Sequence, residues 1–474
     1  MKYMWEGRFK EKIDEDIIEF TKSIDIDKKL AIYDIEGSIA HAKMLFKIGL
    51  LTKKEKQKIL NGLKKIKKEI YEDKLNFLPS DEDIHTVVER RLTELIGKTG
   101  EKLHTARSRN DQIILDERLF LRDEIIYLLK YITNFQNCLL KKSEEYFGTI
   151  ISAYTHLKQS QPVLLSHYFL AYIEKLERDK ERFLETYKRV NVFPLGVGAC
   201  VGTSFPIDRE YTAKLLKFTT ISKNSLDTVS DRDFLIEVGF CCVLTLIHLS
   251  SFSQDLIIWN MDEIDFVKLP DKYCTGSSLM PHKKNPDVFE LIRGKTSSCI
   301  GLFSGLLTLV KGLPFSYNRD LQEDKKPIFE IIETTKSILK VLLKVIPEIE
   351  FNKKIIENKI SSFTLSTDIA EYLVKKGMPF REAHKIVGNI VNYCFENNKS
   401  FFTLTLDEFK KFSHIFENDI FKILNFESSV NAKISEGGTS SINVKKEIEK
   451  WKKDLKKSLD HIISLEKEIS TLKK

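Results

Sequence analysis

The chain has 474 residues, 31% of them charged and 42% hydrophobic, and a formal net charge of +7 at pH 7. This composition excludes a disordered or fibrous chain, and the small basic excess, spread along lysine-rich helical patterns, does not indicate a nucleic-acid surface. With only 20 Gly and 11 Pro, the chain has few residues that end helices, so long helices are favoured over an all-β sandwich or barrel.

Short helical patterns occupy the first part of the chain, and residues 1–110 are predicted to form an N-terminal helical domain. The acidic stretch that follows Ser80 precedes Ile84 and predicts a helix start, with Ser80 as the capping residue. Gly97 and Gly100 are predicted to end this helix.

Residues 111–360 are predicted to form a bundle of unusually long helices. Pro162 is expected in the first turn of a helix with a heptad pattern of apolar residues. These residues are Leu165, Phe169, Tyr172, Leu176, Phe183, Tyr187 and Val190. Two segments, 238–254 and 296–310, contain no Asp, Glu, Lys or Arg. Because both are shorter than a membrane span, they are predicted to lie in the centre of the bundle and not in a membrane.

Residues 361–474 are predicted to form a C-terminal domain of shorter helices. Gly437 and Gly438 indicate a break in this region. After the break, one apolar face predicts a closing amphipathic helix. This face consists of Ile448, Trp451, Leu455, Leu459, Ile462, Ile469 and Leu472.

The seven cysteines are odd in number and include no CxxC pair, so they indicate neither a disulfide framework nor a zinc site. The first residues also lack the apolar stretch of a signal peptide. A reducing cytoplasm is therefore the expected location.

The glycine-rich stretch from Leu195 to Gly202 is similar to a dinucleotide-binding loop. That loop requires a strand before it and a helix that opens on its last glycine. Here a long helical pattern precedes the stretch, and Thr203 to Pro206 follow it. A structural turn is therefore predicted.

The stretch from Gly276 to Pro286 combines two serines, two lysines and an asparagine. Hydroxyls, backbone N–H groups and cations are the groups that hold a developing oxyanion, and Ser277 near Lys283 could act as an activated base. A surface loop between two long helices could have the same composition, so the residues alone leave both interpretations open.

Two further candidates are polar residues near predicted helix starts. His156 could be an acid or base near neutral pH and could be oriented by Glu290, although a structural histidine and an ordinary helix glutamate are simpler interpretations. Arg107 and Arg109 could clamp a carboxylate, or they could belong to a capped, charged connection.

Taken together, these stretches resemble the fumarase/aspartase superfamily and, within it, the argininosuccinate lyase family. Five residues match the superfamily motif GSxxMxxKxN: Gly276, Ser277, Met280, Lys283 and Asn285. The stretches similar to the lyase family are 5–9, 81–85, 104–112, 154–157, 317–325, 377–381 and 437–440. Glu6 and Ala106 stand where the family usually or often has Gly, and Lys158 and His282 where it usually has Gln. His282 also occurs in the motif of adenylosuccinate lyases.

The resemblance implies an all-α fold with three domains and a long central five-helix bundle. Four chains would form a homotetramer with a twenty-helix core, and each active site would be shared between chains. The two uncharged segments fit this arrangement, because neighbouring chains would bury them.

The resemblance also implies a carbon–nitrogen lyase of arginine biosynthesis that cleaves argininosuccinate to arginine and fumarate by reversible anti-elimination. Ser277 would be the base, Lys283 would stabilise the negative charge of the intermediate, and His156, oriented by Glu290, would be the acid partner. The two proton roles could also be reversed. The substrate-binding residues would be Ser23, Arg109, Asn110, Thr155, Asn285, Tyr317, Gln322 and Lys325. The reaction would need no metal ion and no cofactor.

Two alternatives stay open. The chain could be another fumarate-releasing lyase of the superfamily, such as adenylosuccinate lyase or aspartase. It could also be a structural protein on this fold, like the related lens crystallins. The presence of Ser277, His156, Lys283 and Glu290 argues against a wholly inactive form.

Overall fold

The structure is a computed structural model that describes residue 11 and residues 13–470. It is mostly helical, as predicted, and contains three small two-stranded sheets. The stretch 5–9 and Leu472, both used in the sequence analysis, lie outside the described residues.

Four N-terminal helices pack around an apolar cluster of their own, which includes Ile35, Leu63 and Leu92. They are α2 (Ile24–Asp27), α3 (Ala31–Lys47), α4 (Lys53–Tyr71) and α5 (Ile84–Ile96). Helix α1 (Glu15–Thr21) precedes them and has no buried residue.

Helix α5 begins one residue after Asp83, whose carboxylate accepts a hydrogen bond from the backbone N–H of Thr86 at 2.6 Å. The prediction that Ser80 caps this helix is therefore wrong. Ser80 lies in a turn three residues too early, and the acid next to the first helical residue satisfies the free N–H group instead. Gly97 ends the helix as predicted, with φ 68°.

In the central region, two short helices lie between the second and third of the long ones. The helices in chain order are α6 (Arg109–Glu145), α7 (Leu165–Val190), the short α8 (Arg209–Leu215) and α9 (Ser225–Ser230), α10 (Asp233–Trp259), α11 (Asp287–Val310) and α12 (Lys325–Val345). Helix α6 packs against α7 and α12, and α10 packs against α7, α11 and α12. Every residue of the predicted heptad pattern on α7 is buried.

The start of α6 is a capping box: Ser108 accepts from the N–H of Asn110 at 3.3 Å, and Asp111 accepts from the N–H of Ser108 at 2.8 Å. The second oxygen of Asp111 accepts from the backbone N–H groups of Gly196 and Gly198, both at 2.9 Å. The glycine-rich stretch is thus a structural turn packed on the start of α6, as predicted.

A β-hairpin joins α6 to α7, where only helices were predicted. It pairs β1 (Ile150–Thr155) with β2 (Lys158–Leu164), and His156 and Leu157 form its turn with φ values of 54° and 58°. Pro162 lies in β2 opposite Ser152, so the prediction that it opens α7 is wrong. Pairing with β1 satisfies the backbone groups of this segment, and the helix begins only at Leu165.

Two smaller sheets are formed by pairs of two-residue strands in the loops. The parallel pair is β3 (Val192–Phe193) with β4 (Thr220–Ile221), and the antiparallel pair is β5 (Val267–Lys268) with β6 (Glu350–Phe351). Short 3₁₀ helices span Lys28–Leu30, Gly97–His104, Asp271–Tyr273, Arg319–Asp324, Ile346–Glu348, Ser362–Leu365 and Phe401–Thr403.

The helices after residue 352 are shorter until the last one, as predicted. They are α13 (Lys353–Lys359), α14 (Ser366–Lys375), α15 (Phe380–Glu396), α16 (Leu406–Lys410), α17 (Ile420–Ile423), α18 (Phe426–Ala432) and α19 (Ser441–Ser470). Residues 365–424 have their own apolar cluster, whereas α19 packs on α6 and α7 and joins the central cluster. The domain boundaries near residues 110 and 360 stay predictions.

Helix α10 is 27 residues long and apolar enough to span a membrane by composition alone, with a mean hydropathy of 1.9 in its most apolar stretch. Its contacts with three helices of the central region explain this apolarity as that of a core helix. Five large apolar side chains of α10 and α11 nevertheless stay 40% or more exposed in the single chain: Phe240, Ile247, Leu291, Ile300 and Leu307.

The closing helix α19 offers a matched test of its role in the core. Ile462 is 1% exposed and belongs to the central cluster, whereas Ile442 on the same helix is 78% exposed. We expect Ile462→Ala to lower the free energy of unfolding by about 2 to 5 kcal/mol, because it leaves a cavity. The control Ile442→Ala should stay within about 0.5 kcal/mol of the parent. Urea unfolding of both variants measures this, and equal losses would contradict the packing of α19.

Candidate active site

A cleft of about 1160 Å³ opens where α6 begins. The start of α6, the first half of α5 and the segment before α12 form its walls. Six of the predicted substrate-binding residues line it: Ser23, Arg109, Asn110, Tyr317, Gln322 and Lys325. The structure therefore brings together residues that lie up to 302 positions apart in the sequence.

Ser23 sits on the floor of the cleft and is held by Asp27. Its hydroxyl donates to Asp27 Oδ2 at 2.5 Å, and the other oxygen of Asp27 accepts from the N–H of Ile84 at 3.1 Å. Burial raises the pKa of Asp27 to about 6. The hydroxyl of Ser23 is thus oriented before a ligand arrives, with its lone pairs free to accept a hydrogen bond.

The cations of the cleft are balanced by acids of the same chain. Arg109 lies 3.3 Å from Asp83 and 3.4 Å from Glu89. Arg319 donates to Glu82 at 2.7 Å and to the carbonyl of Thr21 at 2.6 Å. The long contacts of Arg109 leave its guanidinium only loosely held, so a ligand carboxylate could replace one of these acids.

Asn110, Gln322 and Tyr317 offer uncharged polar groups. The side-chain amides of Asn110 and Gln322 donate to backbone carbonyls of Ala199 and Thr21, at 3.1 and 3.2 Å. Burial raises the pKa of Tyr317, so its hydroxyl stays protonated and can donate. Such groups orient a polar ligand without adding charge.

Lys325 belongs to a buried group of four charges. Its Nζ lies 2.9 Å from Asp324 Oδ1 and 3.2 Å from Glu117 Oε1. Arg232 donates to Asp324 and lies 3.9 Å from Glu117. All four side chains are at most 3% exposed. Burial lowers the pKa of Lys325, but the charges of Asp324 and Glu117 outweigh it and hold the pKa above its usual value.

Glu117, Arg232 and Asp324, which hold Lys325 in place below the cleft lining, were not singled out from the sequence. A signal was available for Glu117, because it lies between the apolar positions Ile114 and Leu121 of a helix that is buried on most of its circumference. A charged residue at such a position needs a partner of opposite charge.

A second buried cluster joins the helices that carry the cleft residues. His85 Nδ1 on α5 lies 3.0 Å from Asp34 Oδ1 on α3 and 3.6 Å from Asp116 Oδ2 on α6. Gln112 donates to Asp34 as well. Burial raises the pKa of both acids, while the nearby charge of Arg107 opposes that rise. This cluster holds α3, α5 and α6 in register below the cleft.

Ala106 precedes α6 with φ 64°, in the left-handed region that favours glycine. The family often has Gly at this position, and the backbone conformation supplies the reason. In this chain a Cβ is accommodated there at the cost of local strain, about 1 to 2 kcal/mol for a left-handed residue.

The remaining predicted residues do not line the cleft. Thr155 and His156 lie at the exposed turn of the hairpin, and the helix near which His156 was expected begins only at Leu165. The strand pairing of Thr155 with Lys158 places the imidazole at the tip of a loop.

Ser277, Lys283 and Asn285 lie in a loop that a backbone pair closes at its base. The N–H of Asn285 donates to the carbonyl of Thr275 at 2.8 Å. The hydroxyl oxygen of Ser277 accepts from the N–H groups of Leu279 and Met280, at 3.3 and 3.0 Å. Two N–H donors aimed at one oxygen are the arrangement that stabilises an alkoxide, and the ammonium of Lys283 belongs to the same exposed loop.

Glu290 lies in the first turn of α11, 48% exposed, and its nearest cation is Arg293 at 3.9 Å. Within the described part of one chain, it makes no hydrogen bond with His156. The orientation of His156 by Glu290 therefore stays a prediction.

The length of α6 separates the two sets of residues. Its 37 residues span about 55 Å. The cleft lies at its first turn, and the hairpin with His156 follows its last turn. Helix α10 runs from Arg232, beside the cleft, for 27 residues before the chain reaches the Ser277 loop. One chain thus places the two sets of predicted site residues at opposite ends of its long helices.

Comparisons with known proteins cover nearly the whole chain. Residues 7–301 match a family model described as Lyase, and residues 363–431 match one described as Argininosuccinate lyase C-terminal. The argininosuccinate lyase of Sulfurihydrogenibium sp. (strain YO3AOP1) is 47% identical over 96% of this chain and 99% of its own length. That of Geobacter sulfurreducens is 48% identical over 95% of this chain and 98% of its own length.

Solved structures agree with this similarity. EDDS lyase in complex with formate is 27% identical, with a TM-score of 0.86 over 94% of this chain and 90% of that chain. Class II fumarase from Schistosoma mansoni shares the fold, at 16% identity and a TM-score of 0.71 over 84% of this chain and 89% of that chain. With near-full-length relatives above 45% identity and both family models in place, the chain belongs to the argininosuccinate lyase family of the fumarase/aspartase superfamily.

Proposed function

We propose that the protein cleaves argininosuccinate to arginine and fumarate, reversibly, as a step of arginine biosynthesis. The observation that carries this proposal is the similarity to argininosuccinate lyases along nearly the entire chain, including the C-terminal region with its own family model. Neither adenylosuccinate lyase, aspartase nor a structural crystallin has comparable support.

The difficult step of this elimination is the loss of a proton from carbon, because it places a second negative charge on a carboxylate group. In our proposal Ser277 removes the proton as an alkoxide that the N–H groups of Leu279 and Met280 stabilise. Lys283 then stabilises the charge of the intermediate. His156 supplies the proton for the departing guanidino nitrogen, after which the C–N bond is broken.

The cleft at the start of α6 would hold the substrate, with Lys325 and Arg109 facing its carboxylates. Ser23, Asn110, Tyr317 and Gln322 would orient its polar groups. Thr155 and Asn285 would complete the site from the hairpin and the Ser277 loop. All chemistry in this scheme is done by side chains, without a metal ion or a cofactor.

We propose a homotetramer in which four central five-helix bundles form a twenty-helix core. Two observations support it. The large exposed apolar side chains on α10 and α11 are the kind of surface that another chain buries. The two sets of predicted site residues at opposite ends of α6 can meet only if different chains contribute them.

A reducing cytoplasm is the proposed location. All seven cysteines are free thiols, and four of them are buried in the helical core: Cys138, Cys241, Cys242 and Cys299. A protein that keeps its thiols reduced and builds its core without disulfides suits that compartment.

The proposed reaction is tested directly with three substrates. Argininosuccinate should yield fumarate, seen as a rise in ultraviolet absorbance. Adenylosuccinate and aspartate should yield at least about a hundredfold less fumarate at equal concentration, because their leaving groups cannot form the hydrogen bonds that buried polar groups of the site offer. Fumarate released faster from either of the other two compounds would contradict the assignment.

The role of Ser277 is tested with its neighbour as a control. Ser277→Ala should lower kcat by at least about a hundredfold while KM changes little, because a proton-transfer group acts mainly in the transition state. Ser278 is exposed and is not assigned to the site, so Ser278→Ala should keep near-normal turnover. Steady-state fumarate production measures both variants, and normal turnover of Ser277→Ala would rule out its role as base.

Shared sites are tested by mixing inactive chains. His156→Asn and Ser277→Ala should each be inactive alone. After joint unfolding and reassembly in equal amounts, roughly a quarter of the sites should combine both intact residues, by random assembly of a symmetric oligomer. Each variant refolded with itself is the control. Mixed tetramers with no activity above the controls would show that both residues come from one chain.

A further inference from the structure

The charges around Lys325 cancel in the empty cleft. Lys325 and Arg232 carry two positive charges, and Glu117 and Asp324 carry two negative charges. All four are buried, so the effective dielectric around them is low and an unbalanced charge is costly. A substrate carboxylate that binds Lys325 would therefore give this group a net charge of −1.

The two acids of the group are held unequally. Asp324 accepts from both Arg232 Nε and Lys325 Nζ. Within the described chain, no backbone N–H group and no hydroxyl donates to Glu117, whose nearby cations are Lys325 at 3.2 Å and, at the longer distance of 3.9 Å, Arg232. Because its ionised form has the weaker support, Glu117 is the acid that can release its charge at lower cost.

We propose that Glu117 is the counter-charge of Lys325 when no substrate is bound and takes up one proton from the buffered solvent when a substrate carboxylate binds to Lys325. Electroneutrality of the buried group is then kept in both states. Glu117 is a positioning residue in this scheme, since it acts on the substrate only through Lys325. The inference rests on the proposed function in one respect, namely that Lys325 binds a carboxylate of the substrate.

The titration behaviour of the two acids agrees with this geometry. Burial and the charge of Asp324 raise the pKa of Glu117 to about 6, against the pull of Lys325 and Arg232. Burial also raises the pKa of Asp324, but its ion pairs with Lys325 and Arg232 outweigh that effect and hold the pKa below its usual value. Near neutral pH, Glu117 is thus mostly ionised when no substrate is bound. One added negative charge nearby would raise its pKa further, so that it takes up a proton.

Other charged groups near Glu117 contribute to its titration. They are Asp116 and Arg118 beside it on α6, Arg232 before α10, and Asp324 and Lys325 at the start of α12. Asp27 on α2 acts on Lys325 and Asp116, and Asp231 acts on Arg118 and Arg232. Among the acids, Asp27 also lines the cleft and has a pKa of about 6. It is the competing proton acceptor, so the test must separate the two.

The sign of the pH dependence follows from linkage. Binding raises the pKa of Glu117, so affinity for a dicarboxylate is greatest at low pH and falls as pH rises from about 6 through the higher pKa of the complex. The slope approaches tenfold per pH unit for one coupled proton. If Glu117 only held Lys325 in place and took up no proton, the affinity for a dicarboxylate would show no such dependence on pH.

Helix α6 supplies a matched control. Glu124 lies seven residues after Glu117 and pairs with Lys336 of α12 at 2.8 Å, and both side chains are at most 14% exposed. This is the same kind of Glu–Lys pair between the same two helices, about 10 Å further from the cleft. Glu124→Gln should therefore disturb the packing as much as Glu117→Gln does, without touching Lys325.

The experiment titrates the full-length protein with succinate, which resembles the dicarboxylate part of argininosuccinate but has no leaving group. Calorimetry in two buffers of different ionisation enthalpy, between about pH 6.5 and 8, gives both the Kd and the protons taken up. We expect the parent and Glu124→Gln to take up as much as one proton per site. Glu117→Gln should take up none and should bind succinate about tenfold more tightly than the parent at pH 8, with no pH slope.

Proton uptake that persists in Glu117→Gln would overturn the proposal and point to Asp27. The variant Lys325→Gln separates this result from a failure of the proposed function. If it binds succinate as tightly as the parent, Lys325 does not contact a carboxylate of succinate and the inference is wrong, whereas fumarate release from argininosuccinate still decides the proposed function. If Glu117→Gln does not fold, the parent alone still decides, because succinate binding without proton uptake overturns the proposal.

Discussion

Helix α6 runs without interruption for 37 residues, and its rigid length controls how this protein can build an active site. An α-helix rises about 1.5 Å per residue, so the cleft at one end and the hairpin at the other cannot approach each other within one chain. The other long helices repeat this separation, since they run between the same two ends. In the proposed function, where both ends contribute to one site, different chains must supply them, and the apolar side chains left exposed on α10 and α11 offer a surface for such a contact.

Helix α6 also contains several buried charged side chains. Near its start, Asp116 faces His85, and the next residue, Glu117, faces Lys325. Buried ion pairs add little to stability, because the loss of hydration offsets their attraction. Their value here is positional, because they hold cations and polar groups of the cleft in defined places before a ligand arrives. In our further proposal, they also let the cleft respond to the charge of that ligand.

Much of the architecture could be predicted, because helical periodicity is a local property. The apolar series on α7 and α19 predicted which faces are buried. The structure confirms every position on α7 and, on α19, Ile448, Trp451, Leu455, Ile462 and Ile469, whereas Leu459 is half-buried. The hairpin was missed because Pro162 in its second strand is also a common residue at the start of a helix. Strand pairing depends on a partner segment, which a pattern within one segment does not reveal.

For the site, the sequence by itself determined which residues are available: Ser277 in its motif, the polar residues of the cleft, and the family to which they belong. Only the tertiary structure decided which of them meet. It placed one group in a single cleft and the other at the far end of α6, and it assembled Glu117, Arg232, Asp324 and Lys325 into one neutral group. The physical reason is that burial and pairing of charges depend on distances between segments far apart in the chain, whereas motif and periodicity depend only on neighbours in sequence.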